Sequence, residues 1–476
     1  MQNINLKSSG ISTFVLIMLI VSAIDNIRNL PTTALFGSSL IFFFIFSAIV
    51  FLIPAALVSA ELSSTWTEKS GIYYWTKLAF GEKTGFVAIW LQWINTMVWF
   101  PTILSFMAGT ISYLINPALA QNKLYLVSVI LSVFWILTFI NLKGVHISAK
   151  FSHYSTIIGS IIPMILIIAL ATIWIALGKP LQIHFTAASL LPHLNQSENW
   201  ISLTAIMTAF LGMELATVHI KEINKPQKTF PKALFYSVII ILFTMIFGAL
   251  AIAIVLPANQ INLVNGIMQA FTNFFSAYHM SWVMPIITIL LLIGTFGSII
   301  SWVISPAKGL LQAAQSGFLP EFLQKENKHG VAQNLLITQA ILVTVLCLAF
   351  LLMPSVNGSY WLLTDLSTQL YMLMYVLMFI AAIALKFQFP QKQKSFAIPG
   401  KKLGMIITCL LGLIGCIITL IVGFFPPDGV NVGSTLHYEI IFTLGIIAMI
   451  VPVIFFFSFK AYKNKSDTLA LQDTSF

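Results

Sequence analysis

Twelve stretches of nearly unbroken apolar sequence follow one another along this chain, at 11–36, 38–62, 84–113, 124–141, 153–177, 201–222, 232–256, 283–310, 334–353, 358–386, 404–425 and 438–459. Each is close to the ~20 residues that an α-helix needs to cross a bilayer. The pattern predicts an all-α polytopic membrane protein, with one transmembrane domain over residues 1–460 and a short tail over 461–476. Two spans interrupt themselves with polar sequence. The first contains Ile24-Asp25-Asn26-Ile27-Arg28-Asn29-Leu30-Pro31 and the sixth contains Phe210-Leu211-Gly212-Met213-Glu214-Leu215-Ala216. Charge, proline and glycine at bilayer depth survive only where the freed backbone lines a polar cavity. Residues 25–29 and 211–215 are therefore expected to be non-helical or distorted and to lie side by side.

Each break is followed by an intact long span and then by one rich in aromatics. Residues 11–177 and 201–386 thus read as two five-helix units, the second inverted because an odd number of spans precedes it. The two helices within 404–459 fall outside the repeat and carry almost no polar residues, as a scaffold or dimer contact would; the expected assembly is a monomer or homodimer.

Composition agrees with burial in lipid: 58 % of residues are hydrophobic and 8 % charged, too few polar groups to cover a water-soluble globule. Of the 24 basic residues, Lys123 and Lys179 alone fall in loops on one side and Arg28 lies within the membrane, which leaves 21 lysines on the other side. That asymmetry places both termini in the cytoplasm. The net charge of +10 follows from topology and gives no reason to expect a nucleic-acid partner. Lys7 alone precedes the first apolar run, which lacks a small-residue cleavage site and reads as an uncleaved helix. Cys347, Cys409 and Cys416 offer neither a disulfide framework nor metal-ligand spacing, and no cofactor or metal is expected.

Arg28 is the only arginine in the chain. At bilayer depth it costs at least ~2.5 kcal/mol unless it faces a polar cavity or a partner. Two roles are open to it: its planar fork clamps a substrate carboxylate, or it is a structural lock paired to Asp25 or Glu214. Asp25, Asn26 and Ile27 share the same unwound segment. Asp25 either binds a substrate ammonium or carries a proton, or it neutralises Arg28, the reading favoured on desolvation grounds. With Gly212 and Met213 at the second break stands Glu214, which either binds the ammonium, titrates during transport, or makes a buried helix–helix hydrogen bond. Asp365 lies in the polar run Thr364-Asp365-Leu366-Ser367-Thr368-Gln369-Leu370-Tyr371, near an outer helix end where capping or gating is the alternative to substrate contact. Glu61 is placed for an inner-gate salt bridge with a loop lysine. Trp302 is a candidate gate, and Trp93, Trp99 and Trp302 are candidate cavity walls, with core or lipid contact as the plainer reading of each. The segment 261–278 is too polar to span and reads as an interfacial helix on the outer face or a gating element.

An intramembrane enzyme would need clustered histidines, a nucleophile with its base, or carboxylates at helical spacing. The eight histidines form no such cluster. A channel would need filter rings or pore loops. Two broken helices meeting at mid-membrane are instead how secondary transporters build a substrate site.

Four segments, PAALVSAELSSTWTEKSGIYY from Pro54, GMELATVHIKEINKP from Gly212 with Pro231-Lys232-Ala233 beyond it, SWVISPAKGLLQAAQSGFLP from Ser301, and Ile398-Pro399-Gly400, resemble the amino acid-polyamine-organocation superfamily. Within it the chain is similar to the glutamate:GABA antiporter family. The resemblance implies a leucine-transporter-like 5+5 fold in a bacterial inner membrane, and an amino acid substrate held between broken helices 1 and 6, with helices 3, 8 and 10 completing the cavity. It also implies alternating-access exchange of acidic or small neutral amino acids, with proton- or sodium-coupled uptake as the alternative. Ser298, with Ser301, is similar to the hydroxyls that complete a sodium site in some relatives; a serine-to-backbone bond is the competing reading. The fifth span, 153–177, has no lysine of the kind that replaces sodium in some proton-coupled relatives, which favours exchange. The chain departs from the acid-resistance members at two points. They carry a glutamate on helix 8 where Ser298 stands and a long tail that plugs the inner cavity, against 17 residues here counted from Lys460. Glutamate-for-GABA exchange and tail-based gating stay open on that account.

Overall fold

The computed structural model describes residues 12–66, 71–144, 154–155, 157–191, 200–216, 225–311 and 313–473. Among the described residues every long element is helical, and ten helices are long and apolar enough to cross a membrane. The first expected span adds a bent pair, Thr13–Ser22 with Ile27–Ala34 at 42°, and the sixth a shorter apolar helix, Ser202–Leu215. Together these match the twelve apolar stretches of the sequence. The end of the sixth stretch, 217–222, lies outside the described residues.

Local chemistry sets each break. The first span begins as a helix over Thr13–Ile24, capped by Ser12 Oγ, which accepts from the Val15 amide. It opens at Asp25 (ψ 102°) and at Asn26, whose side chain accepts from the Arg28 amide at 3.1 Å. A single 3₁₀ turn, Ile27–Asn29, precedes helix Leu30–Ala34. Pro31 sits in the first turn of that helix, where a missing N–H costs nothing. In the sixth span, helix Ser202–Ala209 stops before Gly212, whose φ of +95° is left-handed and penalises any residue with a Cβ. Helix resumes at once over Met213–Ala216. The sequence reading of 211–215 as non-helical is corrected here: the unwound part is 210–212, and Met213, Glu214 and Leu215 are helical.

Around the breaks stand the third span (Glu82–Ile115), the seventh (Pro226–Val255), the eighth (Met284–Leu311) and the tenth (Val356–Gln388). The fifth span enters through a π-helical turn, Ile157–Ile161, just before Pro163, as expected where a proline cannot close the regular ladder. It crosses the eighth span backbone to backbone: a Cβ on Gly159 would lie 2.2 Å from Gly294 Cα.

Segment 261–278 packs one face against the protein. Its helix, Gly266–Ala277, buries Ile267, Phe271 and Phe274, and the chain before it packs tightly: a Cβ on Gly266 would meet Pro31 at 2.9 Å and one on Gly109 would meet Val264 at 2.6 Å. Asn357 of the tenth span fixes the entry, donating to Ile261 O and accepting from the Leu263 amide, both at 2.9 Å. The segment thus covers the ends of the first and third spans opposite the lysine-rich face. On that lysine-rich face the last helix, Pro452–Asp473, runs on from the twelfth span into the expected tail. Lys460 meets Glu82 at 2.6 Å and Lys463 meets Glu321 at 2.8 Å.

Candidate functional site

A cavity of about 120 Å³ lies between the two breaks, several times the ~10–15 Å³ that one water needs. Asp25, Asn26 and Arg28 come from the first break and Leu211 and Gly212 from the sixth span. The third span contributes Asn95, Thr96 and Trp99, the eighth Ser298 and Trp302, and the tenth Ser367 and Tyr371. A larger hollow of about 1250 Å³ opens on the lysine-rich face between Ser64, Lys77 and Lys394. It is a surface depression remote from the breaks.

The two charges of the first break are buried, Asp25 at 2 % and Arg28 at 4 % exposure. Of the two roles open to Arg28, the lock to Asp25 or Glu214 is not the one formed, because among the described residues it makes no ion pair. Its Nη1 donates to Thr102 Oγ1 at 2.7 Å, and its guanidinium carbon lies 5.4 Å from the Trp99 ring centre, within cation–π range. Arg28 Nε has no partner. Asp25 is tied to the opposite wall: Thr244 Oγ1 of the seventh span donates to its Oδ2 at 2.7 Å, and its Oδ1 has no partner. One cavity is therefore bordered by a cationic and an anionic residue that, among the described residues, are not paired with each other.

Glu214 does not line the cavity. Its Oε1 accepts from Tyr371 OH at 2.5 Å and from Gln92 Nε2 at 3.0 Å, and its Oε2 accepts from Tyr375 OH. The Tyr375 hydroxyl also accepts from the Gly212 amide at 3.2 Å, an N–H freed by the break. The carboxylate thus stands behind Tyr371 and ties the sixth span to the tenth. Met213 and Ile27, also expected at the site, are buried in the core (0 % and 2 % exposure) and do not border this cavity.

Asp365 is elsewhere. It accepts from Tyr438 OH at 2.6 Å and from Gln369 Nε2 at 3.0 Å, joining the tenth span to the twelfth. Capping of the helix end, the alternative to substrate contact, falls to Ser355, which accepts from the Gly358 amide. Ser298 borders the cavity while its hydroxyl donates to Gly294 O at 3.0 Å; the Ser301 side chain lies outside the described residues. Trp302 separates the cavity from an adjoining chamber of about 260 Å³, and its ring centre is 5.6 Å from that of Trp99. Trp93 lines only that chamber and donates to Gln339 Oε1 at 2.9 Å. Glu61, 2 % exposed, accepts from Lys386 at 2.5 Å, Lys394 at 2.8 Å and the Ile398 amide at 2.7 Å.

Sequence reasoning passed over Gln92, Asn95, Thr102, Thr244, Ser367, Tyr371 and Tyr375. A signal existed for most of them. Gln92, Asn95, Thr96, Trp99 and Thr102 recur at three- and four-residue steps along one face of the third span, and Ser367, Tyr371 and Tyr375 do so on the tenth.

The profile of the amino acid permease family matches residues 11–451. An uncharacterized transporter of Legionella pneumophila is 40 % identical over 95 % of this chain and 97 % of its own length. A glutamate/gamma-aminobutyrate antiporter of Lactococcus lactis is 29 % identical over 94 % of this chain and 90 % of its own. A probable agmatine/putrescine antiporter of the same species is 25 % identical over 92 % and 93 %. With a twelve-span helical architecture, a cavity between two broken spans and a family match along nearly its whole length, the chain belongs to the amino acid permease family of membrane transporters and is not an enzyme.

Proposed function

We propose that the chain exchanges amino acids across a bacterial cytoplasmic membrane by alternating access. The substrates are acidic or small neutral amino acids, as in the glutamate/gamma-aminobutyrate antiporter to which it is similar, and both termini lie in the cytoplasm with the lysine-rich face.

The observation that carries this reading is that Asp25 and Arg28 both border one small cavity, each held by a neutral hydroxyl and not paired with the other. An amino acid brings an opposite charge to each at once, a carboxylate for the guanidinium and an ammonium for the carboxylate. A hydrogen bond to a charged group contributes about 1.5–3 kcal/mol, so a zwitterion gains at both ends. A polyamine carries no carboxylate and would place positive charge beside Arg28. That charge balance separates the reading from the polyamine specificity in the name of the agmatine/putrescine relative.

Counterflow in proteoliposomes tests it. Vesicles loaded with glutamate, GABA or alanine are expected to accumulate labelled amino acid faster than empty ones, without an imposed ion gradient, and putrescine loading is expected to give no stimulation. Exchange of polyamines alone, or uptake that needs a proton or sodium gradient and ignores internal substrate, would refute the proposal.

A further inference from the structure

We propose that Thr102 and Thr244 are positioning residues that hold Arg28 and Asp25 apart, as a split charge pair kept open for the two ends of a zwitterion. The inference rests on the amino acid exchange reading and deepens it.

Asp25 and Arg28 are three residues apart, with the α-helix open at Asp25 and Asn26 between the first helix and the 3₁₀ turn that carries Arg28, and they border the same cavity. Opposite charges in such a place attract strongly, since low dielectric and exclusion of water leave little screening. Left to themselves they would close on each other and silence the site. The structure shows them apart, each drawn to a different wall by a hydroxyl.

Thr102 can serve Arg28 only as an acceptor. Its one proton is given to Trp99 O at 2.7 Å, so the lone pairs of Oγ1 remain for Arg28 Nη1. Pro101, beside it in the helix, lacks an N–H and loosens the local ladder. The Trp99 face beneath the guanidinium fixes its plane. Nε is left as the edge without a partner. On the seventh span Thr244 has one proton and three acceptors in reach, Asp25 Oδ2 at 2.7 Å, Ile240 O at 2.8 Å and Ile241 O at 3.2 Å. A charged acceptor binds a hydroxyl proton more strongly than a carbonyl does, so the carboxylate is held by Oδ2. Neutral hydroxyls suit this task. They satisfy one edge of each ion without cancelling its charge, which an ionic partner would do.

The test uses the full-length transporter in proteoliposomes, with exchange KM, maximal rate and melting temperature measured for each variant. Thr102→Val keeps volume and removes the acceptor, whereas Thr102→Ser keeps the acceptor. Valine is expected to raise KM for amino acids about tenfold or more, as loss of a bond to a charged group implies. The melting temperature should stay level or rise, because the freed Arg28 then pairs with Asp25. Serine should restore KM to within about threefold of the parent protein. An unchanged KM in Thr102→Val overturns the proposal, and so does a serine variant as impaired as the valine one. A loss of exchange matched by a fall in melting temperature would make Thr102 merely structural. Should Thr102→Val fail to fold, Thr244→Val against Thr244→Ser decides by the same comparison. Failure of the parent protein to exchange any amino acid would sink the transport reading first, whereas normal parent exchange with an unaffected Thr102→Val variant sinks only the positioning role.

Discussion

Arg28→Lys puts the cavity chemistry to its most direct trial. Lysine keeps the positive charge but ends in a compact ammonium without the planar fork, so it cannot donate to Thr102 through one nitrogen and present a second, oriented edge to a ligand. In the parent protein Nη1 is committed to Thr102 at 2.7 Å, and Arg28 borders the cavity. The variant therefore forfeits at least one charge-assisted bond to the substrate carboxylate, about 1.5–3 kcal/mol, which corresponds to a rise of roughly 10- to 100-fold in KM. The effect should fall on binding more than on the melting temperature, because no ion pair of Arg28 is broken and Thr102 keeps its bond to Trp99 O. Counterflow with glutamate, GABA and alanine gives a second reading. If Arg28 grips the extra carboxylate of an acidic substrate, glutamate loses far more than the other two; if it grips the carboxylate common to all three, they lose alike. Unchanged KM for every substrate would refute any contact between Arg28 and substrate.

The remaining predictions concern the elements that hold the cavity in place. Tyr375→Phe removes a donor to Glu214 and leaves the freed Gly212 amide without its acceptor; a stability loss of about 1.5–3 kcal/mol, seen as a lower melting temperature in detergent, is expected, and an unshifted melting curve would count against the network. Glu61→Gln leaves Lys386 and Lys394, 9 % and 18 % exposed, facing a neutral amide. Breaking a fully buried pair costs ~3–5 kcal/mol, and partial exposure of the lysines reduces this to roughly 2 kcal/mol, readable as faster thermal inactivation that Glu61→Asp restores in part. Gly294→Val forces side-chain carbon into the Gly159 backbone, where a Cβ would already lie 2.5 Å from Gly159 Cα. Overpacking of about 1–3 kcal/mol or more should lower expression and melting temperature, and a variant of normal stability would mean the fifth and eighth spans are less closely apposed.

The bilayer explains why so much of the architecture is legible in the residues. A spanning helix must satisfy every backbone group internally, so span positions follow from apolar length alone, and a break is visible because only polar or flexible residues tolerate one. Asp25, Asn26 and Gly212 mark the two openings for that reason. The sixth break was drawn too long because composition shows that a helix weakens without showing where it recovers, and recovery follows Gly212 by a single residue. Site membership was harder to read. Arg28, Asp25, Ser298 and Trp302 border the cavity, whereas Glu214, Met213, Ile27 and Asp365 do not. Depth in the membrane is written in the sequence position, but rotation about the helix axis and the identity of the partner are not. Asp365 and Tyr371 share one polar run of the tenth span, yet the first turns to Tyr438 and the second to the cavity. Thr102 and Thr244 are unremarkable as threonines and acquire meaning only from the charges that reach them.

Those partners follow a division that bears on how such a protein moves. At the lysine-rich face the carboxylates of Glu82 and Glu321 meet ammonium groups directly, where nearby water limits both the gain on closing a pair and the cost of opening it. Within the membrane, among the described residues, Asp25, Arg28 and Asp365 are met by hydroxyls, a phenol and an amide. A buried ion pair there would be difficult to part once formed, because separating it leaves two uncompensated charges in low dielectric. A hydroxyl can rotate its proton to a backbone carbonyl of its own helix when the charge departs, as Thr102 already does with Trp99 and as Thr244 can with Ile240. Charges held in this way can be handed to a substrate and back again within each cycle, and that reversibility is what an exchanger requires of its binding site.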